Sequence, residues 1–332
     1  MFMYVLLFCT FVTTIASREV LWSFTRTVGT PSPYYYPPIR IDVSIGSPVQ
    51  HVSLNLYVED ECSGLWVDSV AIDQSNGFNR RKSTTFEDHG RVNNSINATE
   101  NFEFDYPKHY DLPFYLVDRR GPGCGSSTPR LNFANYQQNY FLNALFGLTG
   151  ESVAAITYEE TPVSTDDRDN LYGTLTLGGR PKSCGDWTAV KVSQNQTKTQ
   201  WAFDINKISL GKFSSSQTLN AQIDIATARF ELPYDIYKTI ADLLDLYDYG
   251  EISCDVTDEI VFTLDGGFEF KLRPDDYIDR NDEENLDTCY FIGNPGNSGI
   301  VKLPNTLFRN RCLLFNFEKN QLEFANRTDK LN

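Results

Sequence analysis

Asp224 is the residue of this chain whose type and setting best suit acid–base chemistry. It lies in the segment 221–227, where small and apolar residues surround a single carboxyl group. Such a site works best when two carboxyl groups share one proton, because one can then accept a proton from water while the other donates one. The partner would have to come from elsewhere in the chain.

Other kinds of catalytic or metal site find little support in the sequence. The three histidines, His51, His89 and His109, are not accompanied by a G-x-S-x-G motif, which argues against a serine hydrolase. Residues 121–125 are glycine-rich but lack the Lys-Ser/Thr of a phosphate loop, and residues 279–284 lack the glycine of an EF-hand. With no C-x-x-C pair or Cys/His cluster, the sequence predicts neither a metal nor a cofactor.

Composition and charge narrow the class of protein. The 332-residue chain is 41% hydrophobic and 14% aromatic, which is typical of a globular protein with a substantial core. Its formal net charge is −15, so it would be repelled by nucleic acids and by anionic membrane surfaces. We therefore expect no nucleic-acid partner.

The pattern of elements is that of an all-β protein. Residues 39–45 and 52–56 alternate apolar and polar side chains, as half-buried strands do. Residues 262–272 read as a hairpin around an Asp-Gly turn. Residues 233–247 carry an apolar stripe at helical spacing and predict one helix, and the acidic segment 275–287 is expected to be a solvated loop.

Several segments resemble, in order and spacing, those of the pepsin-like aspartic protease family. The resemblance implies an all-β, bilobal fold with a central cleft and a few short helices, in which each lobe supplies one catalytic aspartate to the cleft floor. The matching segments are 35–50 (family pattern Y-Y-x-x-I-x-I-G-T-P-P-Q), 64–67 (N-L-W-V), 78–86 (F-x-x-x-x-S-S-T-F), 173–179 (G-x-L-T-L-G-G), 201–208 (W-x-F-x-x-x-x-I), 221–227 (A-I-V-D-T-G-T), 265–278 and 308–325.

The resemblance also implies the domain organisation. Residues 1–17 form a predicted signal peptide, because a short apolar run is followed by small residues. We expect an N-terminal lobe at 18–180 and a C-terminal lobe at 181–332, with no transmembrane segment. The predicted location is the secretory pathway, ending outside the cell or in the lysosome.

In the second catalytic segment of the family pattern, Asp224 is retained. Ile225 stands where the family has a threonine whose hydroxyl braces the two active-site loops, and Ala226 replaces the glycine that allows close backbone approach. Thr227 is retained. The segment therefore resembles a catalytic motif that keeps its acid and loses part of its support.

The first catalytic segment has lost its Asp-Thr-Gly in either of two registers. Counting forward from Gln50 puts Tyr57 at the aspartate position, whereas counting back from Leu65 puts Glu59 there. Strand alternation favours Tyr57. A phenol is a poor acid below pH 8 and cannot usefully share a proton with Asp224.

The flap that covers substrate in the family is altered as well. The family pattern Y-G-x-G falls on residues 106–109, where Tyr106 is retained and Pro107 and His109 replace the two glycines. These replacements are expected to stiffen or redirect the tip of the hairpin.

Cysteines and sequons fit a protein of the secretory pathway. Six cysteines remain after the predicted signal peptide, and the resemblance implies a Cys254–Cys289 disulfide. The pairing of the other four, Cys62, Cys124, Cys184 and Cys312, stays open. The predicted N-glycosylation sites are Asn93, Asn97, Asn195 and Asn326.

The function that follows is a secreted, monomeric homologue of an aspartic protease without catalytic activity, which binds a peptide or protein in or near its cleft. The alternative is an active acid endopeptidase whose rearranged dyad joins Asp224 to Glu59 or Asp60. A third class, a structural or storage glycoprotein, remains open.

Overall fold

The structure is a computed structural model that describes most of the chain. The described residues are 19–27, 39–58, 64–70, 73–92, 95–105, 108–117, 129–133, 139–158, 170–193, 201–225, 229–247, 250–281, 288–296, 299–308 and 310–328.

The described chain is built mainly from strands, which confirms the all-β prediction. The strands are β1 (Val20–Thr27), β2 (Arg40–Ile45), β3 (Gln50–Tyr57), β4 (Gly64–Asp68), β5 (Glu87–Val92), β6 (Ser95–Asp105), β7 (Lys108–Val117), β8 (Arg130–Asn132), β9 (Val153–Tyr158), β10 (Asn170–Leu177), β11 (Thr188–Lys191), β12 (Phe203–Leu210), β13 (Phe213–Ser215), β14 (Leu219–Asp224), β15 (Phe230–Pro233), β16 (Glu251–Ile252), β17 (Ile260–Leu264), β18 (Glu269–Leu272), β19 (Ile278–Asn281), β20 (Thr288–Phe291), β21 (Gly293–Gly296), β22 (Val301–Pro304), β23 (Arg311–Asn316) and β24 (Gln321–Asn326).

The helices among the described residues are short. They are α1 (Tyr140–Thr149), α2 (Tyr234–Leu243), α3 (Pro274–Tyr277) and a 3-10 turn (Asn305–Phe308). The predicted helix at 233–247 corresponds to α2, while α1 was not predicted. Asn139 begins α1, because its side-chain carbonyl accepts a hydrogen bond from Leu142 N at 3.0 Å.

One large sheet has the order β11-β24-β23-β9-β10-β1-β2-β3-β8-β4-β7-β6-β5. Three of its strands, β11, β23 and β24, come from beyond residue 180, so the two halves of the sequence share this sheet. A second sheet has the order β18-β17-β12-β14-β22-β15-β21, with β13 against β12, and β16, β20 and β19 form a small third sheet.

The same four-strand arrangement occurs once in each large sheet. The first unit, β3-β8-β4-β7, pairs its strands parallel, antiparallel and parallel in turn. The second unit, β14-β22-β15-β21, repeats this sequence of directions. The repeat is a structural duplication that gives each half of the chain one equivalent strand end, at the end of β3 and at the end of β14.

Alternating side chains explain how these strands bury one face. In β14 the buried residues are Leu219, Ala221 and Ile223, and the residues between them are half-buried. The predicted hairpin at 262–272 is present as β17 and β18. Its turn contains Gly266 and Gly267, both with positive φ, which glycine adopts without steric cost.

The acidic segment 275–287 differs from its prediction as a solvated loop. Asp276 is buried in α3, and its carboxylate accepts a hydrogen bond from Arg273 N at 3.0 Å. Residues 278–281 form β19 in the third sheet. Burial with a specific hydrogen-bond donor overrides the expectation drawn from charge alone, and residues 282–287 lie outside the described part of the chain.

Candidate functional site

Asp224 is the last residue of β14 and is half-buried. Asp224 is opposite Pro304 of the parallel strand β22, and this is the last pair between the two strands. The next residue, Ile225, has no exposed surface and packs in the hydrophobic core. Where the family pattern has a threonine hydroxyl, this chain therefore buries an aliphatic side chain. Ala226 and Thr227 lie outside the described residues.

Tyr57 is the last residue of β3 and is also half-buried. It pairs with Asn132 of the parallel strand β8, and its carbonyl accepts a hydrogen bond from Phe133 N at 3.0 Å. Tyr57 in the first unit and Asp224 in the second are thus each the last residue of their strand and belong to its last pair.

The connections that follow these strand ends differ in length. In the first unit, Arg130 is opposite Asn55 of β3 on one side and Trp66 of β4 on the other. In the second unit, Lys302 takes the same position between Gln222 of β14 and Glu231 of β15. With Tyr57 aligned to Asp224, the first connection is two residues longer. The extra residues fall between Tyr57 and β4, in the stretch that contains Glu59 and Asp60. Residues 59–63 are outside the described part of the chain.

A basic side chain covers the phenol of Tyr57. The guanidinium carbon of Arg130 lies 5.0 Å from the centre of the Tyr57 ring, and Arg130 is largely buried. This distance is within the range of a cation–π interaction. The sequence analysis missed Arg130. The available signal was a charged residue beside Leu131 and Phe133, because apolar neighbours favour burial and a buried charge demands a partner.

The two units are joined close to Tyr57. The indole of Trp201 donates a hydrogen bond from Nε1 to the Phe133 carbonyl at 3.2 Å, and Phe133 N donates to the Tyr57 carbonyl. Trp201 precedes β12, whose Phe203 pairs with Ala221 of β14. A short chain of contacts therefore connects the strand end at Tyr57 with the strand that ends at Asp224.

The two strands of the hairpin that was predicted to act as a flap are present. β6 and β7 pair antiparallel from Ser95 opposite Val117 to Asp105 opposite Lys108. Tyr106 and Pro107, between the two strands, lie outside the described residues.

Two disulfides are present among the described residues. Cys254–Cys289 is the pair that the resemblance implied, and Cys184–Cys312 resolves one of the open pairings. Cys62 and Cys124 lie outside the described part of the chain. Of the sequon asparagines, Asn326 is exposed at the end of β24 and Asn97 is half-buried in β6, while Asn93 and Asn195 are not described.

Within the described ranges, no three His, Cys, Asp or Glu side chains come together as a metal-binding group. No helix in the same ranges is long and apolar enough to cross a lipid bilayer.

One known protein family matches the part of the chain that contains the second unit. The family model described as "Eukaryotic aspartyl protease" matches residues 162–327, half of the chain, and this range contains Asp224 and the whole second unit. The chain belongs to the eukaryotic aspartyl protease family. In this aspartyl protease homologue, the range matched by the family model starts beyond Tyr57 and the rest of the first unit. A search of curated protein sequences finds no match to the chain.

Proposed function

We propose that this aspartyl protease homologue is catalytically inactive and binds a peptide or protein ligand in a cleft between its two units. It would act as a secreted or lysosomal monomer that reaches its destination through the secretory pathway. Its domains would be a signal peptide at 1–17, an N-terminal lobe at 18–180 and a C-terminal lobe at 181–332.

The position of Tyr57 carries the proposal. Tyr57 ends β3 against Asn132 in the way that Asp224 ends β14 against Pro304. A phenol at this strand end supplies no second carboxyl group, and it is too weak an acid below pH 8 to share a proton as a carboxyl dyad does. Without a shared proton, one group cannot activate water while the other polarises the peptide carbonyl.

Two neighbouring residues support the loss of activity. Arg130 lies over the Tyr57 ring and brings a positive charge to the end of the first unit. The guanidinium and the phenol therefore pack against each other at this strand end, and neither is an acid that can serve in a carboxyl dyad. Ile225, buried beside Asp224, cannot form the hydrogen bond of a threonine hydroxyl.

The proposed ligand class follows from the elements that remain. β6 and β7 pair antiparallel with one register shift, between Glu103 and Asp105, and each unit has a strand that ends at the corresponding position, β3 at Tyr57 and β14 at Asp224. An extended peptide can be held by hydrogen bonds to its main chain, and this mode of binding requires no catalytic acid. The exposed Asn326 and the other three sequon asparagines are the proposed glycosylation sites of the secreted form.

A proteolysis assay tests the proposed inactivity. Purified protein is incubated with acid-denatured haemoglobin at pH values from about 3 to 5, where a carboxyl dyad would be half-protonated, with and without pepstatin. We expect no pepstatin-sensitive cleavage, and no change on Asp224→Asn, while an active aspartyl protease serves as the positive control.

Cleavage that pepstatin inhibits and that Asp224→Asn abolishes would contradict the proposal. Glu59→Gln and Asp60→Asn, tested separately, would then identify the second acid of a rearranged dyad.

Ligand binding is tested by selecting peptides from a display library. The selected peptides should bind the Tyr57→Ala variant more weakly than wild type and the Lys319→Gln variant as tightly as wild type. Equal affinity for the two variants would show that the peptides do not bind in the cleft.

A further inference from the structure

A basic cavity lies away from the two strand ends described above. It has a volume of about 310 Å³ and is formed where β17, β18 and α3 meet the ends of β23 and β24. Its charged lining consists of Lys271, Arg273, Arg311, Arg327, Glu259 and Asp276. Four cations and two carboxylates leave a positive excess, although the chain as a whole has a formal net charge of −15.

The acidic residues in this lining do not neutralise the cations evenly. The Asp276 carboxylate is buried, accepts a hydrogen bond from Arg273 N and lies 3.6 Å from Arg273 Nε, so it forms an ion pair with Arg273. Glu259 is exposed to solvent, where its attraction to the cations is screened. Lys271 Nζ lies 3.4 Å from Glu269 Oε2, but both side chains are well exposed, so this pair is screened as well. The excess positive charge of the lining is therefore centred on Arg311, which is less exposed than Lys271 and Arg273.

Hydrogen bonds to backbone carbonyls help to hold two of the arginines in place. Arg311 donates hydrogen bonds to the carbonyls of Leu307 and Lys271, and its guanidinium carbon lies 5.6 Å from the centre of the Phe270 ring. Arg327 Nη1 donates to the Tyr158 carbonyl at 3.2 Å. Carbonyls and an aromatic ring position a guanidinium without cancelling its charge. Binding an anion would then require little further ordering of these side chains.

Arg311 is the cation that would gain most from an anion. Burial lowers the pKa of Arg311, Asp276 raises it and the nearby Arg273 lowers it again, so a second cation already opposes its charge. An anion between the two arginines would relieve this repulsion. A guanidinium presents a planar fork of N–H donors that matches the oxygens of a phosphate or sulfate group.

We propose that this cavity is a binding site for a tetrahedral oxyanion, a phosphate or sulfate group, held by Arg311, Arg327, Arg273 and Lys271. The group can arrive as the free inorganic ion or as a substituent of a sugar. The site is separate from Asp224 and Tyr57, and it would function whether or not the protein cleaves peptides.

Calorimetric titration tests the site with defined probes. Sodium sulfate and sodium phosphate are titrated at pH 6 into the full secreted chain carrying Asn326→Gln, since a glycan at Asn326 would lie at the cavity. Sodium chloride at matched ionic strength is the reference. A sulfated disaccharide and its desulfated form make up a second set of titrations, which separates the free ion from the sugar-borne group.

The informative variant is Lys271→Gln combined with Arg273→Gln. Both side chains are more than half exposed, at 55% and 54%, and the main-chain hydrogen bond from Arg273 N to the buried Asp276 carboxylate is kept. Because Arg273→Gln also removes the cation paired with Asp276, thermal unfolding of the double variant is measured first, and binding is compared at a temperature at which both proteins are folded. The matched control is Lys319→Gln, at the opposite end of the β23–β24 hairpin from Arg311 and Asn326. We expect the double variant to bind sulfate at least about tenfold more weakly and the control to bind it unchanged.

Each outcome separates the alternatives. Tight binding of sulfate itself identifies the free ion as sufficient, whereas binding of the sulfated sugar alone identifies a sugar-borne group. The proposal fails if neither sulfate, phosphate nor the sulfated sugar binds better than chloride. It also fails if Lys319→Gln weakens binding as much as the double variant does.

Discussion

At the scale of single residues, the proposed loss of activity depends on the residues at the two strand ends and beside them. Asp224 keeps its position at the end of β14, and the corresponding strand end in the first unit carries Tyr57 beneath Arg130. Ile225 is buried in the core. Under the proposed function, Tyr57 and Ile225 place aromatic and aliphatic packing where the family pattern has a carboxyl group and a hydroxyl.

A substitution at Ile225 tests whether apolar packing has replaced the hydroxyl. Ile225→Thr places a hydroxyl where the wild-type side chain has no exposed surface. We expect it to lower the free energy of unfolding by about 2–4 kcal/mol, because lost packing adds to the cost of burying the hydroxyl. Denaturant unfolding measures this value.

Ile225→Val is the matched control for volume, since valine and threonine have nearly the same shape. It should cost about 0.5–1.5 kcal/mol. If the threonine variant were as stable as the valine variant, the hydroxyl would have found a partner, and the bracing interaction of the family pattern would still be available to this chain.

At the scale of elements, α1 supports the strand end that carries Tyr57. Asn139 is fully buried, and its Nδ2 donates to the Asn132 carbonyl at 2.8 Å while its Oδ1 caps α1 through Leu142 N. Asn132 is the residue opposite Tyr57 in β8. One side chain thus fixes both the start of the helix and the strand beside the candidate site.

Substitutions at Asn139 separate its two roles. Asn139→Ser keeps a cap acceptor but loses the donor to Asn132, and we expect it to lower the free energy of unfolding by about 1–2 kcal/mol. Asn139→Ala loses both contacts and should cost about 2–4 kcal/mol. Thermal or denaturant unfolding gives the order of stability.

Asn143→Ala, a half-buried position within the same helix, is the control for side-chain removal. It should change the free energy of unfolding by less than about 0.5 kcal/mol, because alanine is a good helix former. Equal losses for Ser and Ala at position 139 would show that the cap contributes nothing.

At the scale of the whole molecule, one ion pair links parts of the chain that lie far apart in sequence. Arg180, which follows β10, donates to both carboxylate oxygens of Glu323 in β24, at 2.6 and 2.8 Å. Burial alone would raise the pKa of Glu323. Hydrogen bonds from Arg180, Asn316 and Gln321 and the charge of Arg180 outweigh it and lower this pKa to about 2. The pair ties the C-terminal strands into the large sheet.

The lowered pKa of Glu323 predicts how stability depends on pH. A carboxyl whose folded pKa is depressed stabilises the fold above its unfolded pKa, and this contribution disappears as the pH falls towards the folded value. We expect Glu323→Gln to lower the free energy of unfolding by about 1–3 kcal/mol at pH 7. The difference from wild type should shrink between about pH 5 and pH 2.

Denaturant unfolding across this pH range checks the prediction, with Asp88→Asn as the control for an exposed ion pair. Asp88 lies 3.5 Å from Arg80, and both side chains are well exposed, so its loss should be within about 0.5 kcal/mol. A Glu323→Gln deficit that stays constant from pH 7 to pH 2 would show that the carboxylate charge is not what stabilises this sheet. A persistent ion pair below pH 5 also suits a protein that passes through acidic compartments.

The sequence by itself determined the features that depend on local pattern and on the order of motifs. Alternation predicted β2, β3 and the β17–β18 hairpin, helical spacing predicted α2, and motif order predicted the family and implied the Cys254–Cys289 disulfide. Asp224 could be identified because residues on both sides of it keep the family spacing. Local signals suffice where one segment carries all the information.

Only the tertiary structure decided the features that depend on strands far apart in sequence. The pairing of β3 with β8 shows Tyr57 to be the last residue of its strand, and Arg130 lies over its ring. The bond from Trp201 to Phe133 and the basic cavity around Arg311 likewise join segments separated by many residues. Register and burial are set by cooperative packing of the whole chain, so no local pattern could have specified these contacts.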